Sequence, residues 1–266
     1  MTRRRLDAEL VRRGLARSRD HAAELVAGGR VRIGGRPAGK AATQVDPAEA
    51  IVVAPDAGPA YVSRGAHKLA GALDSFSSDG LSVTGRRCLD AGASTGGFTD
   101  VLLRRGAAAV VAVDVGYGQL AWPLQTDPRV TVLDRTNVRE LSLRDVGAPV
   151  DVVVADLSFI SLSLVIPALV RCAVTSADFV LMVKPQFEVG RERLGAGGVV
   201  RDPQLRASAV LDVAATAARE GLGVRGVVAS PLPGPAGNVE YFLWLRADAP
   251  PADEAAVVRA VGEGPQ

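Results

Sequence analysis

A doubly wound α/β domain behind a small α+β module is the fold predicted for this 266-residue chain. From Ser63 onward, short apolar runs alternate with helical patterns, the order of a mostly parallel sheet with helices on both faces. A glycine-rich turn follows the first of these runs, at the sheet end where such folds take ligands. The front of the chain instead shows two short amphipathic stretches and a few isolated β-type runs. Composition is 48% hydrophobic and 23% charged, and no apolar run approaches the ~18 residues that cross a bilayer. The basic start Met1-Thr2-Arg3-Arg4-Arg5 is followed by neither an apolar h-region nor a small-residue cleavage site, so a cytoplasmic protein with no membrane partner is expected. Cys88, Cys172, His21 and His67 are the only cysteines and histidines. They are too scattered for a zinc site or disulfide framework, so no metal is expected and both cysteines read as core residues.

In the front module, Leu6 to Gly14 and Ser18 to Val26 place apolar residues at helical spacing with arginines between them. Ser18 suits an N-cap and Gly28-Gly29 a stop. Val31-Arg32-Ile33 alternates, Gly34-Gly35 turns and Ile51-Val52-Val53 returns, so a helical pair packed on a small sheet is predicted. Residues 1–40 hold eleven Lys or Arg against four acids, a charge of +7 that leaves −5 for the rest of a chain whose total is +2. Cations clustered in this way release counterions from a polyanion. Arg4, Arg12, Arg13, Arg17, Arg19 and Arg32 are the candidate phosphate contacts; the plainer reading is a solvated arginine face. The module is placed at 1–55, a Pro/Gly/Ala-rich linker at 56–62 and the larger domain at 63–266.

Strands of the larger domain are expected at 87–91, 110–114, 130–133, 150–156 and 179–183, whose near-continuous apolar character suits strands buried on both faces. Helices are expected at 98–105, 161–172 and 203–220. The last two strands, 226–229 and 240–245, are joined by a Pro/Gly loop and predict an antiparallel hairpin, completing a mostly parallel seven-stranded sheet. A parallel sheet ending so resembles the class I methyltransferase fold, in which the last strand inserts antiparallel. Glu254 to Val261 suits a short closing helix.

The loop Asp90-Ala91-Gly92-Ala93-Ser94-Thr95-Gly96-Gly97-Phe98 opens a helix after the first strand, a place where backbone N–H groups can meet a ligand. Ser94 stands where a dinucleotide fingerprint needs its second glycine. Gly92-Ala93-Ser94-Thr95-Gly96 has the spacing of a hydrolase nucleophile elbow, but both histidines precede Ser94 and that fold needs one downstream. The loop resembles methyltransferase motif I. That resemblance implies S-adenosylmethionine as cofactor, contacted by Asp90, Gly92, Ser94, Thr95, Gly96, Gly97 and Phe98. Asp114, ending the second strand, would accept the ribose hydroxyls, and Asp134 and Asn137 after the third strand would flank the adenine. The plainer alternative is a tight turn with Asp114 capping a helix.

Lysine occurs only at positions 40, 68 and 184 among 31 basic residues, and rare lysines suit places that need an amine able to shift its pKa. Asp156 and Lys184 end strands, Glu240 opens the last one, and Lys68 lies in the segment entering the domain. These four resemble the Lys-Asp-Lys-Glu tetrad of FtsJ-like ribose 2′-O-methyltransferases, which implies that Lys184 acts as base or direct activator of a ribose hydroxyl. Plainer readings make Asp156 a buried helix cap, Lys184 a structural partner of Glu188 or Glu240, Lys68 an exposed cation and His67 positional. The front module resembles the S4 RNA-binding domain, whose two helices and Val-x-Ile-x-Gly strand-turn match Leu6 through Arg36. With Ser63 to Leu69, Asp156 to Ser161, Lys184 to Gly190 and Gly237 to Phe242, the chain resembles the TlyA family throughout. That resemblance implies cytidine 2′-O-methylation of 16S and 23S ribosomal RNA in the 30S and 50S subunits, and a link to capreomycin-type sensitivity. The rivals are a base N-methyltransferase, whose Asp/Asn-Pro-Pro-Tyr/Phe motif Asp156-Leu157-Ser158-Phe159 half fits, a membrane-lytic haemolysin, and an RNA chaperone with a dead site.

Overall fold

The computed structural model describes residues 3–16, 18–54, 61–234 and 236–265, and the chain divides into two compact units, Met1–Ala60 and Tyr61–Gln266. Arg17 and most of the expected linker lie outside the described residues.

The smaller unit carries β1 (Arg4–Arg5), α1 (Leu6–Arg12), α2 (Arg19–Ala27), β2 (Val31–Ile33), β3 (Arg36–Pro37), β4 (Gln44–Val45) and β5 (Ile51–Val53). Leu6 and Leu10, one turn apart on α1, pack with Leu25, Val26, Val31 and Val45 into its core. Ser18 Oγ accepts the His21 N–H at 3.1 Å, the expected cap of α2. Strand order is β3-β2-β5, antiparallel, with a separate β1-β4 pair that the sequence pattern did not suggest.

The larger unit contains α3 (Gly65–Ser77), β6 (Arg87–Ala91), α4 (Gly97–Arg104), β7 (Ala109–Val113), α5 (Trp122–Gln125), β8 (Val130–Leu133), α6 (Leu143–Val146), β9 (Val150–Ala155), α7 (Ile166–Arg171), β10 (Ala173–Val183), α8 (Pro185–Glu188), α9 (Pro203–Arg219), β11 (Gly223–Ala229), β12 (Tyr241–Arg246) and α10 (Glu254–Glu263). Its seven-stranded sheet runs β11-β12-β10-β9-β6-β7-β8, with β12 antiparallel between β10 and β11. Successive strand residues point to opposite faces. Leu89, Val111, Val153 and Leu181 therefore join one apolar core, and Cys88, Val110, Val152 and Val180 the other. Each such fully buried aliphatic side chain contributes about 1.5–3 kcal/mol.

Several elements of this unit differ from expectation: β10 begins at Ala173 rather than at 179, the short helices α5, α6 and α8 are additional, and two further differences have physical reasons. The helix expected at 161–172 begins only at Ile166, after a 3-10 turn at Leu162–Leu164. Pro167 lacks an N–H and its ring crowds the preceding turn, so a continuous helix through it is interrupted. The helix α3, which carries Lys68, has no counterpart among the expected elements, although Ala66, Leu69, Leu73 and Phe76 are buried at helical spacing.

Candidate active site

Strand register assembles the site. Ala91 pairs with Val113 and with Ala155, and Val183 pairs with Tyr241. Gly92, Asp114 and Asp156 thus leave the sheet side by side, and Lys184 faces Glu240 one rung beyond the Val183–Tyr241 pair. Ser94, Arg135 and Phe159 are the non-glycine residues with left-handed backbone among those described, at φ 48°, 54° and 64°. Each sits in a loop just beyond the carboxyl end of β6, β8 or β9. Such strain costs about 1–3 kcal/mol per residue and clusters where function over-determines the backbone.

On the motif I side, Gly92 has φ 86°, and a Cβ there would come 2.6 Å from the Asp156 carbonyl. A Cβ on Gly97 would collide with Ser63 Oγ, so glycine at these two positions lets the loop close against Asp156 and the start of α3. Asp114 accepts the Ser94 N–H at 2.8 Å and the Gly116 N–H at 2.7 Å, which ties the β7 loop to motif I; it does not cap a helix. Thr95 is exposed, and its carbonyl accepts the Ala121 N–H at 3.1 Å. Asp134 accepts the Gly118 N–H at 2.9 Å. Asn137 caps a 3-10 turn through the Arg139 N–H at 3.2 Å. Gly96 carries the left-handed backbone that precedes α4. Phe98 turns its ring into the core, 6.1 Å from Phe242, so what it can offer a ligand is backbone.

Asp90 is fully buried: Oδ2 accepts the Thr99 hydroxyl at 2.7 Å, and Oδ1 has no hydrogen-bond partner among the described residues. Burial pushes its carboxyl up to about 7, against the pull of the Thr99 hydrogen bond, with Asp156 and Asp114 adding to the rise. An orphaned buried acceptor beside a glycine loop fits a ligand that carries a cationic N–H donor, as the amino group of S-adenosylmethionine does. The same shift predicts a pH dependence. Between the ordinary carboxylate range and pH 7 the folded state holds a proton that the unfolded state has released, so this group's stabilisation falls as pH rises through that window and is flat above it. Denaturant unfolding between pH 5 and 8 should show the native protein losing stability relative to Asp90→Asn by roughly 1.4 kcal/mol per pH unit, levelling above pH 7. A difference that does not change with pH would contradict the assignment.

The four tetrad residues form two ion pairs. Lys68 Nζ meets Glu240 Oε2 at 2.5 Å, with side chains 7% and 1% exposed, and Lys184 Nζ meets Asp156 Oδ1 at 2.6 Å. Lys68 is therefore no exposed cation, Lys184 pairs with neither Glu188 nor Glu240, and Asp156 is no helix cap. Lys184 Nζ also donates to Ser158 Oγ at 3.0 Å. A cavity of about 440 Å³ opens beside Lys184 and Glu240, walled by Ser158, Phe159, Gln186 and Phe187. Phe159 is 92% exposed, and its ring lies 5.2 Å from that of Phe187. Buried Asn238, which also lines the cavity, accepts the Val200 N–H at 2.9 Å and donates to the Gly198 carbonyl at 3.0 Å. Sequence reasoning passed over Ser158, Phe159, Phe187 and Asn238 as individuals. All four lie in the segments that carry the tetrad, which is the signal that could have found them.

In the smaller unit, two buried carboxylates gather the arginines. Asp7 accepts from Arg5 at 2.8 Å and Arg19 at 3.0 Å; Glu9 accepts from Arg12 at 2.6 Å and Arg13 at 2.8 Å. These hydrogen bonds hold the Asp7 and Glu9 carboxyls well below the ordinary range. Arg13 also donates to the Pro47 and Glu49 carbonyls, a structural commitment. Arg4, Arg12, Arg19 and Arg32 are exposed. Among the described residues no helix is long and apolar enough to cross a membrane, and no group of metal-ligating side chains is found.

A mostly parallel sheet with an inserted antiparallel strand, a glycine loop after its first strand and acids at successive strand ends together define a methyltransferase. The FtsJ-like methyltransferase family model matches residues 61–247 and the S4 domain model residues 4–51. A 16S/23S rRNA (cytidine-2′-O)-methyltransferase TlyA from Mycobacterium tuberculosis is 63% identical over 99% of this chain and 99% of its own length. Hemolysin A of Brachyspira hyodysenteriae is 34% identical over 90% of this chain and 98% of its own. A solved structure from Streptococcus thermophilus, provisionally labelled a hemolysin, superposes with a TM-score of 0.78 at 36% identity, covering 99% of this chain and 96% of that one. The chain belongs to the TlyA family of FtsJ-like methyltransferases that carry an S4 domain.

Proposed function

We propose that this protein transfers a methyl group from S-adenosylmethionine to the ribose 2′-hydroxyl of cytidine in 16S and 23S ribosomal RNA, acting on ribosomal subunits in the cytoplasm. The observation that carries the reading is the pair of lysine–carboxylate contacts at the strand ends, with Lys184 facing a nucleotide-sized cavity. The M. tuberculosis relative bears this activity in its name. Bound S-adenosylmethionine supplies an electrophilic methyl on a sulfonium. Asp90, Asp114 and the Gly92–Gly97 loop would hold it, the carboxylates favouring its positive charge. Lys184 serves as base or direct activator of the attacking hydroxyl: the amine receives the hydroxyl proton, its resting proton having passed to solvent, and Asp156 orients it and balances the ammonium that results. Lys68 and Glu240 neutralise each other where they are buried and fix that wall of the cavity. Exposed Phe159, with half-buried Phe187 beside it, offers a stacking surface for a base drawn out of an RNA helix. The exposed arginines of the S4 unit supply phosphate contacts. An amine-methylating reading is disfavoured because Asp156-Leu157-Ser158-Phe159 lacks both prolines of that motif and a lysine amine lies 2.6 Å from Asp156.

Labelled methyl transfer to 30S subunits, 50S subunits and naked RNA, followed by nuclease mapping of the methylated nucleoside, tests the proposal. Label in a 2′-O-methylcytidine is expected. Label on a base, or none on any substrate, would overturn it.

A further inference from the structure

Glu188 closes α8 and has no part in the tetrad. Its carboxylate reaches across to the loop that follows β9, where Oε2 accepts the Ser161 hydroxyl at 2.5 Å and Oε1 the Leu162 N–H at 2.9 Å. Ser161 in turn accepts the Ser163 N–H at 3.1 Å, so one carboxylate and one hydroxyl secure the start of the 3-10 turn. Burial, with Asp212 nearby, pushes Glu188 above the ordinary carboxylate range, while the two donors from the loop pull the other way.

The span these contacts restrain is held at Leu157 and Ile160 by packing on the apolar core, while Ser158 and Phe159 between them have little backbone support. Among the described residues, Leu157–Ile160 make no backbone–backbone hydrogen bond; the anchor at the other end is the Asp156 N–H to the Ala91 carbonyl, at 3.1 Å. On this span sit Ser158, which accepts from Lys184 Nζ, and Phe159, whose backbone is left-handed and whose ring meets Phe187, the residue before Glu188. A bulky residue keeps such a backbone only where its surroundings impose it.

We propose that Glu188 is a positioning residue for methyl transfer: it latches the 157–161 loop to α8, keeping Ser158 on the Lys184 amine and Phe159 over the cavity. The inference rests on the hydroxyl-methylation reading above. A small displacement at a reacting centre costs about a hundredfold in rate. Glu188→Ala should therefore lower kcat/KM for the subunit about 10- to 100-fold while the cofactor Kd stays within about twofold. Glu188→Gln should restore most of the rate, because its carbonyl accepts the Leu162 N–H and its amide donates to the Ser161 oxygen.

A residue that merely holds the fold would lose melting temperature and cofactor affinity along with rate, and its loss would be independent of Phe159. The deciding measurement is a double-mutant cycle on kcat/KM with Phe159→Ala, alongside cofactor calorimetry and thermal unfolding. In the Phe159→Ala background, removing Glu188 should cost clearly less than it does in the wild type, because only its hold on Ser158 remains to be lost. Effects that multiply, or a parallel loss of cofactor affinity, overturn the proposal. Should Glu188→Ala not fold, Ser161→Ala removes a single donor and is expected to lose rate about severalfold with the same non-additivity; an unchanged rate overturns it equally. Absence of ribose methylation by the wild-type protein is a distinct result, which overturns the underlying reading and this one with it.

Discussion

Replacing Lys184 by alanine should lower single-turnover methyl transfer by about a thousandfold or more while leaving S-adenosylmethionine affinity within a few-fold. The asymmetry follows from placement. Lys184 Nζ faces the cavity between Asp156 and Ser158, whereas the motif I loop, Asp90 and Asp114 lie on the other side of Asp156. Removing the amine leaves Asp156 without its cation, and a freed carboxylate does not repel a sulfonium. Lys184→Arg should be nearly as inactive, because guanidinium keeps its proton and cannot accept one from the hydroxyl. Lys68 is a poorer probe, since its loss would strand Glu240, 1% exposed, at a cost of about 3–5 kcal/mol in stability. Transfer assays read against cofactor calorimetry decide the matter, and near-normal activity in Lys184→Ala would remove the tetrad from the chemistry.

The strand ends were legible in the sequence because buried parallel strands must be apolar throughout. Asp114, Asp156 and Lys184, each following such a run, mark where the chain leaves the sheet, although Asp90 and Asp178 are buried inside strands. Which charge meets which was not legible. Lys68 and Glu240 are 172 positions apart, and Lys184 had three acids within plausible reach. Register alone does not choose between them: it sets Lys184 opposite Glu240 and two residues beyond the level of Asp156, and it is Lys68, by taking Glu240, that leaves Asp156 to Lys184. The left-handed backbone of Phe159 had no signal at all, since nothing in a bulky aromatic side chain announces a positive φ; it follows from contacts made elsewhere, among them Phe187. The front arginines were legible as charge but not as geometry. Asp7 and Glu9, counted only against the total, each hold two of them in place.

Deleting residues 1–60 should spare cofactor binding and eliminate productive RNA methylation. The larger unit keeps both of its apolar cores and the whole tetrad, whereas the deletion removes a segment whose first 40 residues alone carry a charge of +7. If exposed arginines there each neutralise a phosphate, affinity for a subunit falls steeply with salt, and every Arg→Ala change lowers the log–log slope by roughly one unit or slightly less. Arg12 and Arg19 are the first choices, because Glu9 and Asp7 hold them in place while leaving them exposed; Arg4 and Arg32 follow. Arg13→Ala should behave differently. Its guanidinium also ties α1 to the Pro47 and Glu49 carbonyls, so its loss should lower the melting temperature of the unit more than it lowers the salt slope. Full-length and shortened proteins titrated with 30S and 50S subunits across a salt series, with cofactor affinity measured in parallel, test the division of labour. Equal subunit affinities and equal slopes would show that the catalytic unit recognises RNA without the arginine-bearing helices.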